Sequence, residues 1–227
     1  MNTIGFDTSN YTTSIAAFDG AEGVNCSQLL PVKQGQLGLR QSDALFAHVK
    51  SLPELSGRLF SNVAAESIAA VAVSTRPRAV EGSYMPCFLA GVAQAKLLSD
   101  ALHVPLFEFS HQQGHIAAAS WSAGVFDIVK KPFLAWHLSG GTTELLLVEP
   151  EGVAVKAEII GGTSDISAGQ LIDRTGQHLA QLRKSSGSKH RYIGNAAEIG
   201  HVKYTVMCFA IFTHQTGTVY SKHNMQM

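Results

Sequence analysis

The sequence predicts an α/β protein built from one unit used twice, and three observations carry that reading. Two segments share a plan: a short apolar strand, a turn of small and hydroxyl residues, and an apolar strand back. Each is followed by further helical and strand-like segments, which suits a duplicated unit better than a single open sheet. The composition is that of a folded core, with 45% of the 227 residues apolar and 15% charged. So few charges and so much apolar surface exclude global disorder, and the length can bury a sizeable core.

The elements follow in order. Thr3 to Phe6 reads as a strand, DTSNYTT as the turn, and Ser14 to Phe18 as the strand back. Ala44 to Phe60 has near-helical apolar spacing, with an interruption expected at Pro53. Ile68 to Val73 is short enough for a buried strand, ending near the turn Arg76-Pro77-Arg78. Phe88 to Leu102, dominated by Ala and Leu, predicts the best helix of the chain. Val104 to Phe109 predicts a strand, and SHQQGHIAAASW a loop opening into a helix. The theme then repeats: Phe133 to Leu138 as strand, Ser139-Gly140-Gly141 as a tight turn, and Thr142 to Val148 as the strand back. Val153 to Ile160 adds a strand, Gly161 to Asp165 a turn, and a helix is expected from Ser167 towards Leu182. Beyond Arg183 no period is sustained. The expected division is therefore 1–110 as a first lobe, 111–182 as a histidine-bearing helix with the start of a second lobe, and 183–227 as a divergent tail.

Charge and cysteine usage narrow the function classes. Seventeen basic residues balance seventeen acidic ones, so no general electrostatic field favours nucleic acid. Cys26, Cys87 and Cys208 are scattered without a CxxC pair, which points to neither a disulfide scaffold nor a zinc ribbon. The polar start is unlike a signal peptide, and no run of about eighteen apolar residues predicts a membrane span. A cytoplasmic globular protein is the expectation.

Four motifs carry chemistry. His111 and His115 stand four apart, so on a helix both imidazoles project from one face and can reach one ion. Gln112 stands where an HExxH zinc protease needs its general-base Glu, which argues against that peptidase class; paired surface or capping histidines are the plainer reading. Leu138, Ser139, Gly140, Gly141 and Thr142 form a turn whose glycines would let main-chain N–H groups approach an anion. Thr8, Ser9 and Asn10 occupy the equivalent turn of the first hairpin, where ordinary turn capping is the competing reading. Asp165 and Asp173 flank a helix start; Asp165 suits a cap, and Asp173 suits either a surface ion pair or the two hydroxyls of a ribose. His48, His137 and His178 read as packing or surface residues, and Cys87 as a small buried one. Ser139 lies in no GxSxG elbow, so a serine hydrolase is not indicated.

Taken together, these residues resemble the glycoprotease-like family of tRNA threonylcarbamoyladenosine synthases. The matching segments, in order, are IGFDTS, Ser27-Gln28, VAVSTRPRAVEGSY, H-Q-Q-G-H (family H-x-E-G-H), L-S-G-G-T-T (family V-S-G-G-H-T) and G-G-T-S-D-I-S-A-G-Q-L-I-D-R. They cover about the first four-fifths of the chain. Departures are Gln113 for Glu, Thr142 for His, Ile166 for Asp, Gln170 for Glu, and Arg76-Pro77-Arg78 for a Gly-Pro-Gly loop. The family's second lobe, with a glycine-rich nucleotide contact, an Asn and a third metal-ligating Asp, has no counterpart after Leu182. A truncated or frameshifted member, or a diverged paralogue, is the expectation.

The resemblance implies a duplicated actin, hexokinase and Hsp70-like fold (ASKHA) with an incomplete second lobe. It implies metal-assisted transfer of threonylcarbamoyl from threonylcarbamoyl-AMP to an adenosine beside the tRNA anticodon. One divalent ion, iron or zinc, would sit on His111 and His115. The two turns would cradle the phosphate and Asp173 would take the ribose, with both turns and the ion meeting in one cleft. The implied partners are tRNA, held through other subunits, a related subunit of the same fold and an ATPase subunit; no membrane is implied. A non-catalytic partner subunit of the same fold is the alternative, and a metallopeptidase a weaker one.

Overall fold

A computed structural model describes residues 1–9, 11–31, 39–139, 141–172, 174–176 and 178, together with the short strands at 212–213 and 219–220. Asn10, Gly140, Asp173 and all other positions of the expected tail lie outside the described residues. The chain divides into two units, Met1–Gly114 and His115–Met227.

Period-two burial builds the sheet of the first unit. Ile4 and Phe6 of β1 (Asn2–Asp7) are buried, as are Thr13, Ile15 and Ala17 of β2 (Thr12–Phe18), so one face of each strand is core. The two pair antiparallel, with Thr3 opposite Phe18 and Asp7 opposite Ser14. A third strand, β3 (Gly23–Leu29), extends the meander at the sheet edge. Its sequence did not announce it: GVNCSQL buries only Cys26, and a polar edge strand lacks the alternation that marks a half-buried one.

The helix α1 (Gln41–Phe60) buries Ala44, His48, Leu52, Leu55 and Leu59 along one stripe. It runs unbroken through Pro53, contrary to the expected interruption. Pro53 and Val49 are both exposed, so the ring and the carbonyl four residues earlier, which loses its N–H partner, lie on the solvent face. The chain then enters the sheet centre as β4 (Ile68–Arg76), crosses by α2 (Leu89–Leu102) and returns as β5 (Leu106–Ser110). Both β1–β4 and β4–β5 pair parallel, giving the order β3-β2-β1-β4-β5. One core joins Ile4, Phe6, Ile15, Leu52, Leu55, Leu59, Val71 and Val73.

The second unit opens the same way. The strands β6 (Phe133–Leu138), β7 (Thr143–Glu151) and β8 (Ala154–Gly162) form an antiparallel meander, and helical residues 168–172 follow. That is the order strand, hairpin, strand, strand, helix of the first unit. Ile116 of α3 (His111–Ser122) joins Phe133, Ala135, Leu146, Val148 and Val155 in its core. Beyond the helix the likeness stops among the described residues. The next strand, β9 (Phe212–Thr213), pairs antiparallel with β6, whereas β4 pairs parallel with β1; β10 (Val219–Tyr220) pairs with β9. The fold is thus the expected duplicated actin, hexokinase and Hsp70-like one, its second copy represented among the described residues by the opening part.

His48 is the exception in the apolar stripe of α1. It is fully buried; its Nδ1 lies 2.8 Å from Thr13 Oγ1, and its Nε2 has no hydrogen-bond partner among the described residues. Burial lowers its pKa from 6.5 to about 4, against a smaller opposing pull from the Asp7 charge. The unfolded chain takes up this proton as pH falls through 6.5, while the folded chain resists until about 4. The neutral ring therefore costs stability across that acid window, by up to ~3 kcal/mol. Urea midpoints taken between pH 7 and pH 4 should fall more steeply for wild type than for His48→Gln; equal slopes would refute the assignment.

Candidate functional site

In the first unit the site begins where β1 ends. The Asp7 Oδ1 accepts the Ser9 N–H at 2.9 Å, an Asx turn that fixes the carboxylate. Its other oxygen meets His111 Nδ1 at 2.7 Å. Both side chains are 28% exposed. Burial alone would raise the Asp7 carboxyl, but the His111 imidazole beside it and hydrogen bonds from His111, Ser74 and Ser9 hold it well below the usual carboxylate range. The Phe88 ring meets His111 edge-on at 6.3 Å.

His111 is the first residue of α3, and the helix starts there for a legible reason. Ser110 N donates to Gln113 Oε1 at 2.7 Å, and Gln113 N donates to Ser110 Oγ at 3.2 Å. This reciprocal pair is a capping box. S-x-x-Q, Ser110 to Gln113, is its sequence signature. The Gln112 N–H also donates to the Pro77 carbonyl at 3.0 Å, tying the Arg76-Pro77-Arg78 turn to the start of α3. His111 and His115 thus sit four apart on one continuous helix.

Thr8 is fully buried, and its hydroxyl is engaged by the fold. It donates to the Cys87 carbonyl at 3.0 Å and accepts the Gly91 N–H of the first turn of α2 at 3.1 Å. A Cβ on Gly91 would lie 3.0 Å from Thr8 Oγ1, so any larger residue there would press on this hydroxyl.

In the second unit, His115 is 9% exposed. Its ring lies 6.3 Å from that of His137, tilted by 36°, and His137 Nδ1 is 3.4 Å from Glu144 Oε2. The turn between β6 and β7 closes on itself. Ser139 N donates to the Thr142 carbonyl at 2.8 Å. Ser139 Oγ accepts the N–H groups of Gly141 at 3.2 Å and Thr142 at 2.9 Å. Thr143 Oγ1 accepts the Ala168 N–H at 2.7 Å and the Ser139 carbonyl that of Gly169 at 3.2 Å. The turn and the following helix are therefore stitched together. Asp165 lines the cavity beside them.

That cavity has a volume of about 410 Å³. Hydroxyls of Thr142, Thr143, Thr163, Ser164 and Ser167 line it with the backbone of three glycines, Gln170, the apolar Ile159, and the carboxylates Glu144 and Asp165. A Cβ on Gly162 would lie 2.8 Å from the Thr143 carbonyl, so bare backbone keeps this wall closed. Two carboxylates and several hydroxyls, with no Lys or Arg among the described lining residues, suit a ligand rich in hydrogen-bond donors. An anion would depend on main-chain N–H groups.

The first unit therefore brings the Ser9 N–H and His111 to one carboxylate, Asp7, while Thr8 is turned into the fold; in the second, Leu138 ends β6, Ser139 closes the turn, and Gly141 and Thr142 line the cavity. Asn10, Gly140 and Asp173 lie outside the described residues. No group of three or more His, Cys, Asp and Glu side chains among the described residues gathers as an ion site. Two helix-borne imidazoles, one with its Nδ1 held by a carboxylate, still have the donor chemistry of an iron or zinc site. No described helix is long and apolar enough to cross a membrane.

The family model described as TsaD, tRNA N6-adenosine threonylcarbamoyltransferase, matches residues 34–215. The chain belongs to the TsaD family. The tRNA N6-adenosine threonylcarbamoyltransferase of Lactococcus lactis subsp. cremoris (strain MG1363) is 32% identical over 155 residues, 68% of this chain and 41% of that protein. The protein of the same name from Sulfurihydrogenibium sp. (strain YO3AOP1) is 32% identical over 185 residues, 79% of this chain and 51% of that protein. The chain thus spans about half the length of such TsaD relatives. Among solved structures, YeaZ from Pseudomonas aeruginosa superposes with a TM-score of 0.44 at 14% identity, covering 69% of this chain and 63% of that one.

The Thr8 hydroxyl offers a test of how the hairpin is held. Thr8→Val keeps the shape but orphans a buried N–H and should cost about 2 kcal/mol in urea unfolding, with Thr8→Ser recovering most of it. Equal stability of all three forms would contradict the bonding described.

Proposed function

We propose that this chain takes part in forming N6-threonylcarbamoyladenosine in tRNA. The reaction transfers the threonylcarbamoyl group of threonylcarbamoyl-AMP to an adenosine beside the anticodon. The exocyclic amine attacks the carbamoyl carbon, the carbon–oxygen bond to the phosphate breaks, AMP leaves with the bonding pair, and the amine loses a proton. The observation that carries this reading is the Asp7–His111 contact at the first residue of α3, in a member of the TsaD family.

On this reading His111 and His115 would hold one divalent ion, iron or zinc. With Nδ1 engaged by Asp7, His111 would be held as a ligand in the arrangement in which a carboxylate fixes the tautomer and orientation of a ligating imidazole. An ion held there would supply Lewis acidity, the chemistry suited to a carbamoyl oxygen that gains negative charge. Ser139, Gly141 and Thr142 hold the phosphate by giving it the two N–H groups that Ser139 Oγ otherwise accepts. Asp173 is assigned to the ribose hydroxyls, and Ser9 flanks the Asp7 carboxylate. This is catalysis by positioning and electrostatics, without a covalent enzyme intermediate.

Net charge near zero leaves tRNA to be held by partner subunits, among them a related subunit of the same fold and an ATPase subunit, in the cytoplasm. A non-catalytic partner subunit is the second reading. It is favoured by one observation: Ser139 satisfies the very amides an anion would need. A peptidase is disfavoured, because glutamines stand at 112 and 113 and Gln113 is engaged in capping α3.

Metal content separates the readings. The purified chain should carry about one iron or zinc per molecule, and His111→Ala should lose it; a metal-free wild type, or a variant that keeps its metal, would overturn the enzymatic reading. Transfer from threonylcarbamoyl-AMP to tRNA, assayed with partner subunits added, should fall at least tenfold in the same variant, since one lost tenfold step corresponds to only ~1.4 kcal/mol.

A further inference from the structure

The core face of the second sheet ends in a polar pair. Phe133 and Ala135 of β6 are buried, and His137 follows in the same phase. Leu146 and Val148 of β7 are buried, and Glu144 precedes them in phase. Period-two alternation thus puts an imidazole and a carboxylate where apolar side chains are due. They are direct cross-strand partners in the register, with Nδ1 and Oε2 3.4 Å apart, and their side chains are only 17% and 14% exposed. Placing polar groups there carries a desolvation cost that packing alone does not require. The neighbour that gives the pair a use is His115, whose ring lies 6.3 Å from that of His137, within the range of direct ring contact.

We propose that His137, anchored by Glu144, is a positioning residue for His115: it walls the His115 ring and limits its rotation, so that the imidazole is presented in one orientation. Because Glu144 also lines the cavity, the pair links whatever enters that cavity to the orientation of His115. The inference rests on the reading of His111 and His115 as metal ligands, and extends it to two residues that do not themselves bind the ion.

The test is a Co²⁺ titration of the full chain, followed by visible absorption, for wild type, His111→Ala, His137→Leu and Glu144→Gln, with urea midpoints as a folding check. Wild type should bind and His111→Ala should not. His137→Leu and Glu144→Gln should each weaken binding by roughly 10- to 100-fold, as loss of an orienting partner typically does, and should shift the Co²⁺ bands. Unchanged affinity and bands in both variants would overturn the proposal while leaving the ligand assignment standing. If His137→Leu fails to fold, Glu144→Gln alone decides. A wild type that takes up no Co²⁺ would overturn both readings together.

Discussion

The contact between the Asp7 carboxylate and the His111 imidazole is the constraint on which the functional reading depends. It joins the end of the first strand to the first residue of α3, two points 104 residues apart in sequence. Each end is fixed independently, Asp7 by the Ser9 N–H and His111 by the Ser110–Gln113 capping box. A carboxylate so held stays charged well into acid, and a charged carboxylate on Nδ1 sets the tautomer of the ring. The chemistry offered at the helix face follows from that placement.

A second regularity runs through both units. Thr8, just beyond β1, accepts an N–H from the first turn of α2; Thr143, at the start of β7, accepts one from residue 168 at the start of the next helix. In each case a threonine of the hairpin occupies a helix N-terminus whose amides lack intrahelical partners. Hydroxyl-rich turns that read as phosphate cradles therefore serve the fold as well. Ser139 stands in both roles, since an anion would need the amides it now accepts. The cavity lined by Gly141 to Glu144, with two carboxylates and several hydroxyls, complements donor groups better than bare negative charge.

Much of this was legible from residue types alone. The two hairpins, the apolar runs of β4 and β6, and α2 announce themselves by period and composition. The histidine spacing of α3 needed only the helical repeat. What was hidden has physical causes. The polar edge strand β3 shows no alternation, and Pro53 is harmless because it faces solvent. The partnership of Asp7 with His111 is tertiary, set by strand order rather than spacing. Glu144 and His137 could have been noticed as polar breaks in alternating strands, yet only the register shows that they face each other. The capping box was readable as S-x-x-Q and explains why Gln113 stabilises the helix start in place of Glu.

The most direct test is the nitrogen spectrum of the histidines. With the chain labelled at both imidazole nitrogens, His111 should show a protonated Nδ1 and an unprotonated Nε2 before metal is added, and Zn²⁺ should shift Nε2 of His111 together with one nitrogen of His115. A protonated Nε2 on His111, or a Zn²⁺ titration that moves neither ring, would contradict the claim that Asp7 prepares this imidazole as a ligand.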